Sequence, residues 1–533
     1  MRFTPRPVAL AVTASMLLMT ACAPVDEGDE TATDPASDDA DAPESDEDVE
    51  LDEDATLRWG VSLDLSAGFD PHRARSEWDL LMLSHTYDRL VHTTNDVELV
   101  PGLAEDWEYS DDGATLTLHL REDVTFHDGE VLDGEAVAAN LERAMTHEAS
   151  AVAGQLTSIE DIEVVDEHRV DLHLTGPDAT LPGVLAGRAG AMISPAAHDD
   201  EELLAERSAG AGMFEVVEYR PGDIILQEPF EDYWDPETIK VGAFETRILP
   251  DDRTRLNALQ TGELDVTWVA SAYVDEAKQI DGVDVDPATS LAYMQMSLNR
   301  TKSELDDPRV RRALNLAIDR EAILEGVFRG YGEPAHQPFP AEFWAHVPEV
   351  DEQAGHDPER AQELLAEAGL EDGFTLEVLT PPIEDFDVVG EVIQQQLEPL
   401  GIELQLRAVE PSQTAELFLA NEEGDALVTL TAGQADPSLT TQLYVESFGN
   451  PGDHTTDEVR RLHELTVATV DEQEREELVH DLVREAVAEE SFNVPLVFRA
   501  SGYLTREEVV GFEPHGAALH QVRGVGIRAD ADR

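Results

Sequence analysis

The stretch Leu99–Arg143, LVPGLAEDWEYSDDGATLTLHLREDVTFHDGEVLDGEAVAANLER, leaves this part of the chain little conformational choice. Leu116, Leu118 and Leu120 alternate with Thr115, Thr117 and His119, the two-residue period of a strand with one buried face. Trp107 and Tyr109 alternate with acids just ahead of it, and Ser110-Asp111-Asp112-Gly113 between the two runs is turn chemistry. Val124 and Phe126 repeat the period before a second turn, His127-Asp128-Gly129. Asp133 is then placed to cap a helix whose Val137, Leu141 and Ala144 share one face. The pattern predicts a β-meander closed by a helix, and by itself it predicts no function.

A chain of 533 residues can bury large cores and should hold two or three domains. Thr56–Val61 reads as an opening strand followed by the loop Ser62–Pro71, then a helix from about Glu77. Ile159–Val165 and Arg169–Leu174 read as a strand pair around the turn Asp166-Glu167-His168. Asp307-Pro308 and Asp357-Pro358 each combine an N-cap acid with a proline in the first helical turn. Phe374–Leu379, a helix carrying Val388, Val392, Ile393 and Leu397, and Ile402–Val409 form a strand–helix–strand unit, which implies parallel strands with a right-handed crossover. A helix from Gln413, a strand Asp425–Thr431 and two acidic helices follow, and Val494–Phe498 brings the chain back towards its first domain.

The charge excludes one class of partner. Against 35 Lys+Arg stand 115 Asp+Glu, a formal charge of −80, so nucleic acid, which requires concentrated positive charge, is not a partner to expect. The acid is not confined to one tail: Ala23–Asp54 holds 16 acids and no base, only a fifth of the net charge. Lys240, Lys278 and Lys302 are the three lysines. Global acidity with scarce lysine suggests a surface suited to high salt, where self-repulsion is screened; coding bias is the alternative source of the lysine scarcity.

The amino-terminal residues carry an export pattern. Arg2 and Arg6 precede the short apolar run Val8–Met19, and Leu18-Met19-Thr20-Ala21-Cys22 resembles a bacterial lipoprotein box. Residues 1–22 are read as a lipoprotein signal peptide with Cys22 as the lipidated residue. The alternative is ordinary cleavage that leaves a free thiol. Residues 23–54, poor in apolar side chains, are expected to be a disordered acidic tether.

The organising stretch resembles the signature of family 5 extracellular solute-binding proteins, the peptide- and nickel-type receptors of ABC importers. Pro101, Leu103, Ala104, Trp107, Ser110, Asp112, Gly113, Thr115, Leu120, Arg121, Val124, Phe126, His127, Asp128 and Gly129 carry the match, and Ala136 departs from an acid usual in the family. Asp251–Asp265 and Asp306–Gly332 are similar to further segments of it. The resemblance implies an α/β fold of the periplasmic-binding-protein type: two lobes joined by a hinge, plus an extra domain. The expected division is 55–89, 211–300 and 493–533 for the first lobe, 90–210 for the extra domain and 301–492 for the opposite lobe. It implies an extracytoplasmic, membrane-anchored monomer that captures a solute, an oligopeptide first of all, by hinge closure. Delivery would be to a permease with separate ATPase subunits. A nickel complex, an oligosaccharide or another small solute, or ligand presentation to a sensor, are the alternatives it leaves open.

No catalytic constellation appears: HExxH, CxxC, GxxxxGK[ST] and GxSxG are all missing, and the histidines show no metal-ligand spacing. No enzyme activity, cofactor or metal is expected. His127 is read as a turn residue satisfied by backbone. For ligand contacts, Asp436 in Gly433-Gln434-Ala435-Asp436-Pro437 follows the Asp425–Thr431 strand, where open α/β sheets place their ligands. The resemblance makes it a partner for a peptide's amino terminus. Gln434 stands in place of the family's usual tryptophan region. Trp268 is either an aromatic wall or core; Tyr293, Asp64 and Ser66 complete the candidate set.

Overall fold

The computed structural model describes residues 49–382, 385–445, 451–517 and 520–531. The expected signal peptide with Cys22, and the expected tether up to residue 48, lie outside the described residues. The last part of the expected tether is ordered against the other end of the chain: the Asp52 N–H donates to the Ile527 carbonyl at 2.7 Å, and Ala529 donates to the Glu50 carbonyl.

Two large sheets carry the architecture. The first has seven strands in the order Val283–Ala288, Ser501–Arg506, Val266–Ala270, Thr56–Val61, Ala243–Ile248, Ile224–Pro229 and Phe214–Arg220. Thr56–Val61 lies inside it, parallel to both neighbours, with Leu57, Trp59 and Val61 buried. Gly60 is closely packed: a Cβ there would stand 2.4 Å from Leu264 Cδ1 and would force that side chain to shift. The second sheet has six strands in the order Gly332–Pro334, Asn493–Arg499, Tyr293–Leu298, Ala426–Thr431, Phe374–Thr380 and Ile402–Ala408. Phe374–Thr380 and Ile402–Ala408 are parallel, with the helix Phe386–Leu397 as the crossover expected from the sequence.

The chain passes directly between these sheets at two places. Val283–Ala288 belongs to the first sheet and the next strand, Tyr293–Leu298, to the second. Asn493–Arg499 belongs to the second and Ser501–Arg506 to the first, with Ala500 alone between them. Tyr293–Leu298 and Asn493–Arg499 therefore both sit in the sheet opposite to the one their sequence position suggested. They pair with each other, Tyr293–Leu298 also with Ala426–Thr431 and Asn493–Arg499 also with Gly332–Pro334.

The meander folds as its alternation requires. Ala104–Tyr109, Thr115–Leu120, Arg169–Leu174 and Ile159–Asp166 form a four-stranded antiparallel sheet, in that order. Leu116, Leu118 and Leu120 are buried against the helix Gly134–Thr146, whose cap Asp133 accepts from the Ala136 N–H at 2.9 Å. The same capping device works at Asp307 and Asp357. The helix expected from Gln413 is instead a 3-10 turn, Pro411–Gln413, running into a π-helical turn, Ala415–Ala420. Among the described residues no helix is long and apolar enough to cross a membrane.

Candidate functional site

A cavity of about 1300 Å³ opens where the antiparallel domain meets the six-stranded sheet. One wall is made by two loops of the antiparallel domain, from Gly154 to Ser158 and from Thr175 to Thr180. The other comprises Gln295 and Ser297, the end of the Ala426–Thr431 strand, the turn holding Thr414 and Phe418, and the face of the helix Asp457–Ala468 that presents His463 and Glu464. The carboxyl end of Ala426–Thr431 thus opens into the cavity, as the rule for open sheets requires.

The lining is chiefly hydroxyl, amide and aliphatic. Gln295 is 3 % exposed; its Nε2–H donates to Thr431 Oγ1 at 2.7 Å, and its Oε1 is buried with no donor. The Gln434 N–H donates to Thr440 Oγ1 at 2.9 Å, which fixes the turn after the strand. Asp178 holds its own loop by accepting from Thr180 N–H at 3.0 Å and Thr180 Oγ1 at 2.6 Å. The two walls touch directly: the Ala179 N–H donates to the Val467 carbonyl at 2.7 Å. Burial, reinforced by Arg460, lowers the His463 imidazole to about 4, so it is neutral at neutral pH.

The residues singled out from the sequence fall in several places. Gln434 lines the cavity. Asp436 stands 4 % exposed behind the wall, where its Oδ1 accepts from Arg475 Nη2 at 2.7 Å and from the Ser438 N–H at 2.8 Å, capping Pro437–Thr441. Those are structural partners, different from the ligand amine expected of it. Tyr293 is fully buried against Phe498, their ring centroids 5.7 Å apart, and burial holds its phenol protonated well above the usual range. Trp268 packs edge-on to Trp78 at 5.7 Å, with the Arg255 guanidinium 4.7 Å from its ring. Ser66 donates its hydroxyl to Asp79 at 2.8 Å, and Asp64 accepts from Tyr219 at 3.0 Å and from the Gly222 N–H at 2.7 Å. Trp268 and Ser66 thus meet the first turn of the helix Glu77–Leu83, on the seven-stranded side and apart from the cavity lining. His127 is a turn residue held by backbone, its Nε2 3.0 Å from the Gly212 carbonyl.

Residues 98–454 match the model of the bacterial extracellular solute-binding proteins, family 5, middle region. The chain belongs to this family. A family 5 protein of this kind is the substrate-binding component of an ABC transporter and works outside the cytoplasm. Among curated relatives, the glutathione-binding protein GsiB of Pectobacterium atrosepticum is 31 % identical over 352 residues, spanning 65 % of this chain and 68 % of its own. Two solved structures share the fold. DppA from Helicobacter pylori, in complex with the peptide STSA, superposes with a TM-score of 0.75 at 24 % identity, over 89 % of this chain and 98 % of its own. NikA from Staphylococcus aureus, in complex with Ni(L-His)2, gives 0.71 at 19 % identity, over 89 % of this chain and all of its own. The fold therefore carries dissimilar ligands, and the lining must decide which one this family 5 chain takes.

Among the lining residues that sequence reading missed are Gln295, Thr431, Asp178, His463 and Glu464. The strand-end rule pointed to the neighbourhood of Thr431. Nothing local marks Asp178, whose loop reads as a plain turn between strands and reaches the cavity only through tertiary docking.

Proposed function

We propose that this family 5 protein captures an oligopeptide and hands it to an ABC permease with its ATPase subunits, without altering the peptide chemically. The observation that carries this reading is the cavity itself. Its volume of about 1300 Å³ exceeds what a single amino acid or a chelated metal ion fills. Its lining offers hydroxyls and amides suited to an extended backbone, with room for side chains in hydrated space. The peptide STSA bound by DppA and the glutathione in the name of GsiB support the same class. We place Gln434 at the ligand and Asp436 behind it as a positioning residue. Trp268, Ser66 and Asp64 are placed on the opposing lobe.

Anchoring is proposed through Cys22, with residues 23–48 acting as an acidic spacer that holds the body off the membrane face. The test is mass spectrometry of ligand released by denaturing protein purified from its native host. Peptides of several residues are the expected release; a metal chelate or a sugar would overturn the oligopeptide reading.

A further inference from the structure

The lining gives the cavity a definite charge character. Among the described residues, none of its lining side chains is Arg or Lys. The one lining imidazole, His463, is buried and neutral. Arg475, beneath the wall, is turned away from the cavity by Asp436, Ser438 and the Thr466 carbonyl. On the other side of the balance, Asp178 and Glu464 both line the cavity, and Glu464 is exposed with no ion-pair partner among the described residues. Gln295 adds an acceptor, its Oε1 buried without a donor. A buried acceptor left alone costs free energy that an incoming N–H or O–H would recover. A carboxylate entering the same space would lose its hydration and find no cation in the lining; Arg460, whose charge reaches His463, is exposed on the same helix and lies outside the lining.

We propose that the cavity admits ligands bearing ammonium or neutral N–H and O–H donors and rejects anionic ones. Cationic and carboxyl-amidated oligopeptides then bind in preference to acidic ones, with Glu464 as the residue that attracts the cation. The choice of peptides as probes rests on the function proposed above; the charge rule does not.

The experiment is calorimetry on the full chain with two matched sets. One is a tetrapeptide set, every member N-acetylated so that no α-ammonium is present: lysine-containing and amidated, alanine-only and amidated, alanine-only with a free carboxylate, and glutamate-containing with a free carboxylate. The other is a tetrasaccharide set: glucosamine, N-acetylglucosamine and galacturonate oligomers. Roughly molar salt shortens the Debye length to about 3 Å, which removes the general attraction of cations to an acidic surface. The expected order is cationic, then neutral, then anionic, with anionic members weaker by about tenfold or more. Glu464→Gln, an exposed and isosteric change, should weaken the lysine peptide by about threefold and leave the neutral amide unchanged. Peptides binding without that order, or a Glu464→Gln variant with unchanged lysine-peptide affinity, overturns the charge rule and leaves the oligopeptide reading standing. The order appearing among sugars while no peptide binds overturns the oligopeptide reading and leaves the charge rule. Binding in neither set overturns both.

Discussion

Replacing Asp436 by alanine separates a structural acid from a ligand-binding one. Its carboxylate caps Pro437–Thr441 through the Ser438 N–H and pairs with Arg475 at 2.7 Å, the two side chains being 4 % and 11 % exposed. Loss of the cap costs about 1 kcal/mol. Leaving a buried guanidinium without its anion costs about 3–5 kcal/mol. Arg475 keeps its bonds to the Thr466 carbonyl and Ser438 Oγ, so the total should fall near the lower end, about 3 kcal/mol. The assay is urea unfolding followed by circular dichroism, with calorimetric peptide binding on the same preparations. Asp436→Asn keeps an acceptor for the cap and should lose about 1–2 kcal/mol, with peptide affinity within about threefold of the parent. Asp436→Leu combined with Arg475→Leu should recover part of the loss, because neither charge is then stranded. An Asp436→Ala variant with an unmoved urea midpoint would refute this account. So would an Asp436→Asn variant that keeps its midpoint and loses peptide affinity, since that result returns the carboxylate to the ligand.

Three further outcomes are expected. His85, His463 and His515 are each lowered to about 4, chiefly by burial, against an ordinary value of 6.5. The unfolded chain then binds protons first, so stability is full above pH 6.5 and falls between pH 6.5 and 4, by about 1.4 kcal/mol per unit for each histidine that titrates across that window; a denaturation series over that range should show the slope. Below it, the Asp70–Arg143 pair fails in turn. Burial raises the Asp70 carboxyl, but the Arg143 hydrogen bonds and charge outweigh this and hold it below 3.8, so that contribution is lost as pH falls through the folded value, and Asp70→Asn should remove that last step. The acidity of the chain predicts a melting temperature that rises from low to molar salt; Glu215 and Glu485, each raised by burial and then by neighbouring glutamates, show the repulsion to be screened, and an unmoved melting curve would count against it.

What the sequence disclosed and what it withheld divide along the range of the interaction. The caps at Asp133, Asp307 and Asp357 reach three residues or fewer, and the meander's alternation is written in consecutive positions, so both were legible. The crossover between Phe374–Thr380 and Ile402–Ala408 followed from element order alone. The partners that decide the site are distant: Gln295 meets Thr431 across 136 positions and Asp436 meets Arg475 across 39. No periodicity encodes such pairings. For a related reason chain order misplaces the strand Tyr293–Leu298, which follows the first lobe in sequence while its hydrogen bonds go to the second. The π-helical turn Ala415–Ala420 shares its composition with an ordinary helix, so its irregularity left no trace in residue type.

The crossing at Ala500 has a mechanical consequence. One residue joins Asn493–Arg499 to Ser501–Arg506, and the other crossing, residues 289–292, is only four long. Neither connection has slack, so any swing of one sheet against the other must be absorbed by a handful of backbone dihedrals along a single line. The travel of the mouth is thereby reduced to rotation about that line. Stiffening it would change how fast solute enters and leaves without touching a single group that the solute meets.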